Sequence, residues 1–279
     1  MTSPSTGASP RTAVAEPATN GPIISVQGVS KRFRSKDQVV TAIAGVDLDI
    51  AHGEFVCIVG PSGCGKSTLL NMSAGLMEPC LGKLLFAGQP VDGPNTEVGY
   101  ITQKDNLLPW HTAEGNIGLA LKIRKMDKKQ AKRRVGEMID LVGLSGFKTS
   151  YPGELSGGMR KRVTLARTLV YDPPVLLADE PFGALDAQLK LVMQAELQRI
   201  WTETRKTIVF VTHDISEAVA LGDRVIVMSS RPGQIKVDRR IDIPRPRDVF
   251  KIRHQPGFAE LAEELWDVLA ADMKSGEDM

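Results

Sequence analysis

Residues 60–68 read Gly60-Pro61-Ser62-Gly63-Cys64-Gly65-Lys66-Ser67-Thr68 and are the strongest indication of the fold. Its spacing is GxxxxGK[ST]. A strand-like run at 54–59 precedes it directly, and a helical pattern begins at Lys66. A strand, a glycine-rich turn and a helix in this order direct backbone N–H groups and the positive end of the helix toward phosphate oxygens. We therefore predict a phosphate-binding loop in an α/β domain.

Every residue of this loop is predicted to contribute to nucleotide binding. The predicted nucleotide-binding residues are Gly60, Pro61, Ser62, Gly63, Cys64, Gly65, Lys66, Ser67 and Thr68. We expect Lys66 to contact the β and γ phosphates, the Ser67 hydroxyl to bind Mg²⁺, and Thr68 to hydrogen-bond the α phosphate. We also expect thiol reagents to inactivate the protein through Cys64, because a bulky adduct would crowd the loop.

A second motif, Val-Leu-Leu-Ala-Asp-Glu at 175–180, is an apolar strand that ends in two carboxylates. Such a pair on its own can simply be solvated at the end of a strand. Beside a phosphate loop, however, we expect Asp179 to hold Mg²⁺ and Glu180 to be the base that activates the attacking water.

The composition argues against several other classes of protein. The 279 residues are 42% hydrophobic and 24% charged, so the chain is not expected to be mainly disordered, and the net charge of +2 does not favour nucleic acid as a general ligand. The three cysteines form no CxxC pair, so neither a disulfide framework nor a structural zinc site is expected. The longest apolar runs, such as 208–211 and 225–228, fall far short of the roughly 18 residues of a membrane span.

Apolar runs and helical patterns alternate along the chain. Strands are predicted at 23–29, 46–50, 54–59, 98–101, 175–179, 207–212 and 224–229, and helices after Lys66 and at 128–142, 158–171, 187–205 and 258–270. The pattern predicts an α/β core with a helical subdomain inserted at about 104–172. We expect residues 1–22 to be a flexible tail, 23–240 to be the main domain and 241–279 a short C-terminal extension without a legible role.

The segment Leu155-Ser156-Gly157-Gly158-Met159, which we name the signature segment, stands directly before a predicted helix. It resembles the LSGGQ signature of ATP-binding cassette (ABC) ATPases, with Met159 in place of the final Gln. The resemblance implies a RecA-like P-loop NTPase core, an antiparallel β subdomain and an inserted helical subdomain. It also implies that Ser156, Gly157 and Gly158 bind the ATP of a second copy in a head-to-tail dimer. A glycine-rich turn that only caps a helix is the alternative.

Further positions match the same family. The resemblance implies that Phe33 stacks on adenine, that Gln103 contacts Mg²⁺ and the γ phosphate, and that His213 hydrogen-bonds the γ phosphate. A lone Phe or His in these places is more often structural, so the roles depend on the whole set. The loop 184–186 is expected to contact the partner subunit, although Asp186 also suits a plain helix cap.

The function implied is that of an ATPase subunit of a multicomponent importer, at the cytoplasmic face of the inner membrane. Its expected partners are a second copy of itself, membrane permease subunits and, indirectly, an external solute-binding protein; no nucleic acid is expected. Segments 106–110, 181–186 and 231–233 resemble importers of nitrate, sulfonates or taurine, although they can also be variable loops. The alternative is a soluble ABC ATPase in nucleic-acid maintenance or translation, but the chain lacks the long heptads or second cassette expected there.

Two surface hypotheses remain. Residues 122–134 carry eight basic side chains and one acidic side chain, Asp127, which predicts a solvated face, with contact to anionic lipid or a membrane partner and nucleic-acid binding as alternatives. Leu107, Leu108 and Trp110 follow Gln103 and are expected to dock a membrane subunit, unless Trp110 belongs to the core of the helical subdomain.

Overall fold

A computed structural model describes residues 21–35, 38–183 and 185–277 of the chain. The strands are β1 (Ile24–Ser35), β2 (Gln38–Ile50), β3 (Phe55–Val59), β4 (Leu81–Phe86), β5 (Gln89–Pro90), β6 (Val98–Ile101), β7 (Val175–Asp179), β8 (Thr207–Val211), β9 (Arg224–Met228) and β10 (Ile235–Arg240). The α-helices are α1 (Lys66–Ser73), α2 (Ala113–Ile123), α3 (Lys128–Leu141), α4 (Gly157–Leu169), α5 (Ala187–Thr204), α6 (Ile215–Leu221) and α7 (Phe258–Glu277). Short 3₁₀ helices lie at Ser145–Phe147, Pro152–Glu154 and Ile252–His254.

Within the described ranges the strands form two sheets. The larger sheet has the order β10-β9-β3-β8-β7-β6, and its strands are parallel except for the edge strand β10. The smaller sheet, β2-β1-β4-β5, is antiparallel. Since β3, β7 and β8 are neighbours and parallel, the segments that follow them meet at one edge of the sheet, where ligands of α/β proteins bind.

The apolar side chains form three clusters. One covers the larger sheet on the side of α5, α6 and α7, and a second fills the space between the two sheets and around α1. The third holds α2, α3 and α4 together as a helical subdomain, centred on Ile117, Leu121 and Val163. The expected α/β core with an inserted helical unit is therefore confirmed.

The segment after residue 240 is part of the first cluster. Ile243, Ile252, Phe258 and Leu265 are buried there against the larger sheet and its helices. Apolar residues recur along α7 at the three- and four-residue spacing of a helix face that packs on a core. The sequence leaves the role of this segment open, and the structure shows that it contributes to the packing of the α/β core.

All the predicted strands and helices are present, but β4, β5, β10, α2 and α6 are not among the predicted elements. The other differences lie at the ends of elements. β1 and β2 extend well beyond 23–29 and 46–50 because they pair as a long antiparallel hairpin whose outer half is partly exposed and mixed in polarity. α7 continues to Glu277 instead of ending at 270. The tail predicted at 1–22 lies almost wholly outside the described residues. Across the described ranges, no helix combines the length and apolarity that crossing a bilayer requires.

Candidate nucleotide site

The predicted phosphate loop connects β3 to α1 at the carboxyl edge of the larger sheet. Gly63 and Gly65 have positive φ angles of 78° and 103°, which explains the need for glycine at these turns. Lys66 is 5% exposed, and its Nζ donates to the carbonyls of Gly60 and Pro61 at 2.7 and 2.9 Å. The lysine ammonium is thus held within the curve of the loop, close to where phosphate is expected.

A pocket of about 530 Å³ lies over this loop. It is lined by Phe33, Val40, Ala42, Ser62, Gly63, Gly65, Lys66, Ser67, Thr68, Gln103, Asp179, Glu180 and Arg231. The structure therefore brings together ten residues chosen from the sequence, from four separate parts of the chain. Gly60, Pro61 and Cys64 belong to the loop but do not line the pocket.

The two carboxylates at the end of β7 have different surroundings. Asp179 accepts a hydrogen bond from the Ser67 hydroxyl at 2.9 Å. Burial raises the pKa of the Asp179 carboxyl above its ordinary value, and the hydrogen bond from Ser67 opposes that rise. The nearby Glu180 carboxylate also raises this pKa.

Glu180 and His213, both expected to act in catalysis, are in contact. His213 Nδ1 lies 3.3 Å from Glu180 Oε2. The backbone of Glu180 has φ of 42°, which is unusual for a residue with a Cβ, and its N–H donates to the carbonyl of Val211 at 3.0 Å. The hydrogen bond to β8 fixes this strained turn, so the carboxylate is directed into the pocket by the neighbouring strand.

The donor set suits Mg²⁺. The Ser67 hydroxyl and the Asp179 carboxylate supply adjacent oxygen ligands, which this ion prefers. Among the described residues, no group of three or more His, Cys, Asp or Glu could hold a metal ion by itself. Mg²⁺ is usually bound by one or two protein oxygens together with substrate phosphates.

The Cys64 thiol is expected to be accessible, but the structure shows that it is buried. Its side chain is 1% exposed and lies beneath the loop, with Sγ 3.8 Å from Lys66 Nζ. Burial raises the pKa of the Cys64 thiol, although the nearby Lys66 lowers it in part. The Cys64 thiol is therefore not accessible, and the predicted sensitivity to thiol reagents is not supported.

The signature segment lies away from this pocket, at the start of α4. Ser156 is the N-cap of α4, where its hydroxyl accepts a hydrogen bond from the N–H of Met159 at 3.3 Å. A Cβ at Gly158 would overlap the methyl groups of Leu189 in α5, whereas Gly157 is open to solvent. Gly158 thus has a packing role in addition to the predicted nucleotide contact.

Two residues of the expected partner-contact loop, Leu185 and Asp186, are described, and Ala184 lies outside the described residues. The Asp186 carboxylate accepts a hydrogen bond from the N–H of Leu189 at 2.9 Å and is the N-cap of α5. The helix-cap interpretation of Asp186 is therefore confirmed, while contact with a partner stays a prediction.

Sequence reasoning missed three residues that line the pocket. Val40 and Ala42 belong to the outer, partly exposed half of β2, which the pattern does not identify as a strand. Arg231 was noted only as part of a resemblance, but it follows β9, the strand beside β3. That adjacency of strands was the missing signal, because it brings the two following segments together.

Comparisons with known proteins agree with this geometry. Residues 43–183 match the family model described as "ABC transporter". An uncharacterized ABC transporter ATP-binding protein of Methanocaldococcus jannaschii, MJ0412, is 42% identical over 246 residues, which cover 88% of this chain and 91% of that protein. The aliphatic sulfonates import ATP-binding protein SsuB of Bacillus cereus is 43% identical over 224 residues, covering 80% and 88% of the two chains.

The dimeric post-hydrolysis structure of the ATP-binding cassette MJ0796 with ADP and Pi is similar in fold. It superposes with a TM-score of 0.71 at 31% identity, covering 79% of this chain and 100% of that one. The matching family model, the long alignments and the assembled phosphate loop and carboxylates all lead to one assignment. The chain belongs to the ABC transporter family and is an ATP-binding, ATP-hydrolysing subunit of that family.

Proposed function

We propose that the chain is the ATPase subunit of an importer for a small anion of the sulfonate, taurine or nitrate type. The observation that carries this proposal is the similarity to SsuB proteins, named for aliphatic sulfonate import, at 43% and 41% identity over at least 80% of this chain. The segments at 106–110, 181–186 and 231–233 support the same subfamily.

Within the pocket, we assign roles to the residues by their positions. Phe33, 40% exposed at the rim, stacks on adenine, and the loop with Lys66 and Thr68 binds the phosphates. Ser67, Asp179 and Gln103 hold Mg²⁺, which neutralises charge that develops on the phosphates. Glu180 accepts a proton from the attacking water.

His213 complements Glu180. Because its ring nitrogen lies 3.3 Å from the carboxylate, the imidazole fixes the direction of Glu180. The His213 side chain is 60% exposed and does not line the pocket itself, and its other ring nitrogen is the proposed donor to the γ phosphate.

We further propose that the site is completed in a head-to-tail dimer. Ser156 and Gly157 are exposed at the N-terminal end of α4, where helix N–H groups and the helix dipole favour an anion. They do not line the pocket of their own chain, so a second copy must bring them to the γ phosphate.

The proposed membrane partner docks beside Gln103. Trp110 is 70% exposed, which excludes the interpretation that it is core of the helical subdomain, while Leu107 and Leu108 are half-buried beside it in sequence. An exposed aromatic side chain next to a γ-phosphate contact suits an interface with permease subunits. The chain is then peripheral at the cytoplasmic face of the membrane, and an external solute-binding protein selects the solute.

The test is uptake of radiolabelled solute by cells from which the gene has been deleted. We expect loss of uptake of an alkanesulfonate, taurine or nitrate, and its return with the parent chain but not with Glu180→Gln. Normal uptake of all three solutes in the deletion strain would contradict the solute class.

A second measurement tests the chemistry itself. Glu180→Gln should retain ATP binding and lose hydrolysis, because an amide cannot accept the proton of water while the loop is unchanged. ATP should then trap a dimer that is visible by light scattering. Hydrolysis within about threefold of the parent would exclude Glu180 as the base.

A further inference from the structure

The turn between β9 and β10, residues 229–234, connects parts of the molecule that surround the nucleotide pocket. Gly233 donates its N–H to the carbonyl of Ala42 at 2.9 Å, and the N–H of Ala44 donates to the carbonyl of Gly233 at 3.1 Å. A Cβ at Gly233 would overlap the carbonyl oxygen of Cys64. The turn therefore fits closely between β2 and the phosphate loop.

Arg231 extends from this turn into the pocket. Its Nε and Nη2 both lie 3.3 Å from the carbonyl oxygen of Gly63, in the middle of the phosphate loop. The same side chain lines the pocket together with Lys66, Phe33 and Ala42. A guanidinium has five N–H donors, and at most two of them hold the Gly63 carbonyl oxygen. Within the described ranges, Nη1 contacts no acceptor of the protein.

The charges in the pocket favour a second basic side chain that binds phosphate. Asp179 and Glu180 bring two carboxylates to the site, and Lys66 is the other basic side chain in the lining. The phosphates of ATP add several negative charges beside these carboxylates. A planar guanidinium that is always charged binds phosphate oxygens by charge-assisted hydrogen bonds.

We propose that Arg231 is a further nucleotide-binding residue, whose guanidinium binds the phosphate groups of ATP while it holds Gly63. This inference rests on the nucleotide site proposed above.

The C-terminal helix positions this arginine. The Asp272 carboxylate, on α7, accepts a hydrogen bond from the N–H of Ser230, the residue before Arg231. Asp272 also pairs with Lys236 of β10, at 3.7 Å. Because α7 is packed on the core through Leu265 and Leu269, the carboxylate provides a fixed point for the turn. Asp272 is thus a positioning residue that acts through Arg231.

The experiment measures binding of ATP, ADP and AMP to the full chain by calorimetry in EDTA, so that hydrolysis does not intervene. For Arg231→Ala we expect affinities for ATP and ADP to fall about tenfold, with a smaller loss for AMP, because the lost contact is with phosphate charge. Thermal unfolding without nucleotide checks that the variant is folded. An unchanged affinity for ATP, or an equal loss for all three nucleotides, would overturn the assignment.

Two matched variants separate charge from loop support. Arg231→Lys keeps the charge and should stay within about threefold of the parent, whereas Arg231→Gln keeps a donor for Gly63 without the charge and should be as weak as Arg231→Ala. Recovery with Gln would mean that Arg231 only supports the loop, which contradicts the proposal. Failure of the parent chain to bind ATP would instead refute the nucleotide site as a whole.

A third set tests the role of Asp272. Asp272→Ala should weaken ATP binding about threefold, and Lys236→Ala, which removes the ion pair with this carboxylate, should leave it unchanged. Combining Asp272→Ala with Arg231→Ala should cause no further loss beyond Arg231→Ala, since the effect passes through the arginine. Additive losses would show that Asp272 does not act through Arg231.

Discussion

The side chain of Lys161 is joined to the backbone of Gln103, because the lysine Nζ donates a hydrogen bond of 2.6 Å to the Gln103 backbone carbonyl. Lys161 lies in α4, five residues after Ser156, and is 5% exposed. Its ammonium also pairs with Asp105 at 2.9 Å. The segment with the proposed γ-phosphate contact is therefore joined to the helix that carries the signature segment by a hydrogen bond and an ion pair. Two nucleotide sites of a dimer would be coupled through this link.

The first prediction concerns the ion pair between Lys161 and Asp105. Lys161→Met leaves the Asp105 carboxylate, of which 23% is exposed, without its closest cation, and should lower the free energy of unfolding by about 2 kcal/mol. Urea denaturation measures the change. The double variant Lys161→Met/Asp105→Leu should recover part of the loss, and a single variant as stable as the parent would show that the pair contributes nothing.

The second prediction compares neighbouring glycines. Gly158→Ala should destabilise the chain by about 1 to 3 kcal/mol because the added methyl group overlaps Leu189. Gly157→Ala is the control, since its Cβ would approach only Arg160 Nη2 at 3.8 Å. Thermal unfolding distinguishes them, and Leu189→Ala should rescue Gly158→Ala. Equal stability of the two glycine variants would argue against the packing role.

The third prediction concerns thiols. Cys80 is exposed, whereas Cys57 and Cys64 are buried and burial raises the pKa of each thiol. Since the thiolate is the reactive form, Cys80 should react with maleimide first and alone in the folded protein. Mass spectrometry of peptides identifies the modified residue. Rapid labelling of Cys64, with or without ATP, would contradict the buried position.

The fourth prediction concerns docking. Trp110→Ala should leave the unfolding free energy of the isolated subunit within about 0.5 kcal/mol of the parent because the indole is largely exposed. Copurification with the permease subunits should fall markedly. Ile123→Ala, at an equally exposed site at the other end of α2, is the matched control and should assemble normally. Normal assembly of Trp110→Ala would refute docking at this side chain.

The sequence was most informative where chemistry requires a fixed order of residues. The loop at 60–68 and the carboxylates at 179 and 180 are local patterns, and the parallel order of β3 and β7 brings them together as predicted. Glycine-rich turns and all-apolar strands leave few alternatives at such places.

Contacts between distant segments could not be read in the same way. Arg231 reaches the pocket because β9 pairs with β3, and the burial of Cys64 depends on the turn at Gly233 and on Met228 around it. Neither follows from a motif or a period. The burial of Lys161 could not be predicted from the sequence either, because a lysine on an amphipathic helix is normally exposed.

The backbone of Glu180 lies in the left-handed region, with φ of 42°. A left-handed backbone costs a glutamate about 1 kcal/mol or more, and glycine or asparagine would relieve most of that cost. Replacing the proposed base by glycine or asparagine would therefore give a more stable protein that binds ATP without hydrolysing it. With the proposed role of Glu180 as the base, the site keeps a strained turn in exchange for ATP turnover.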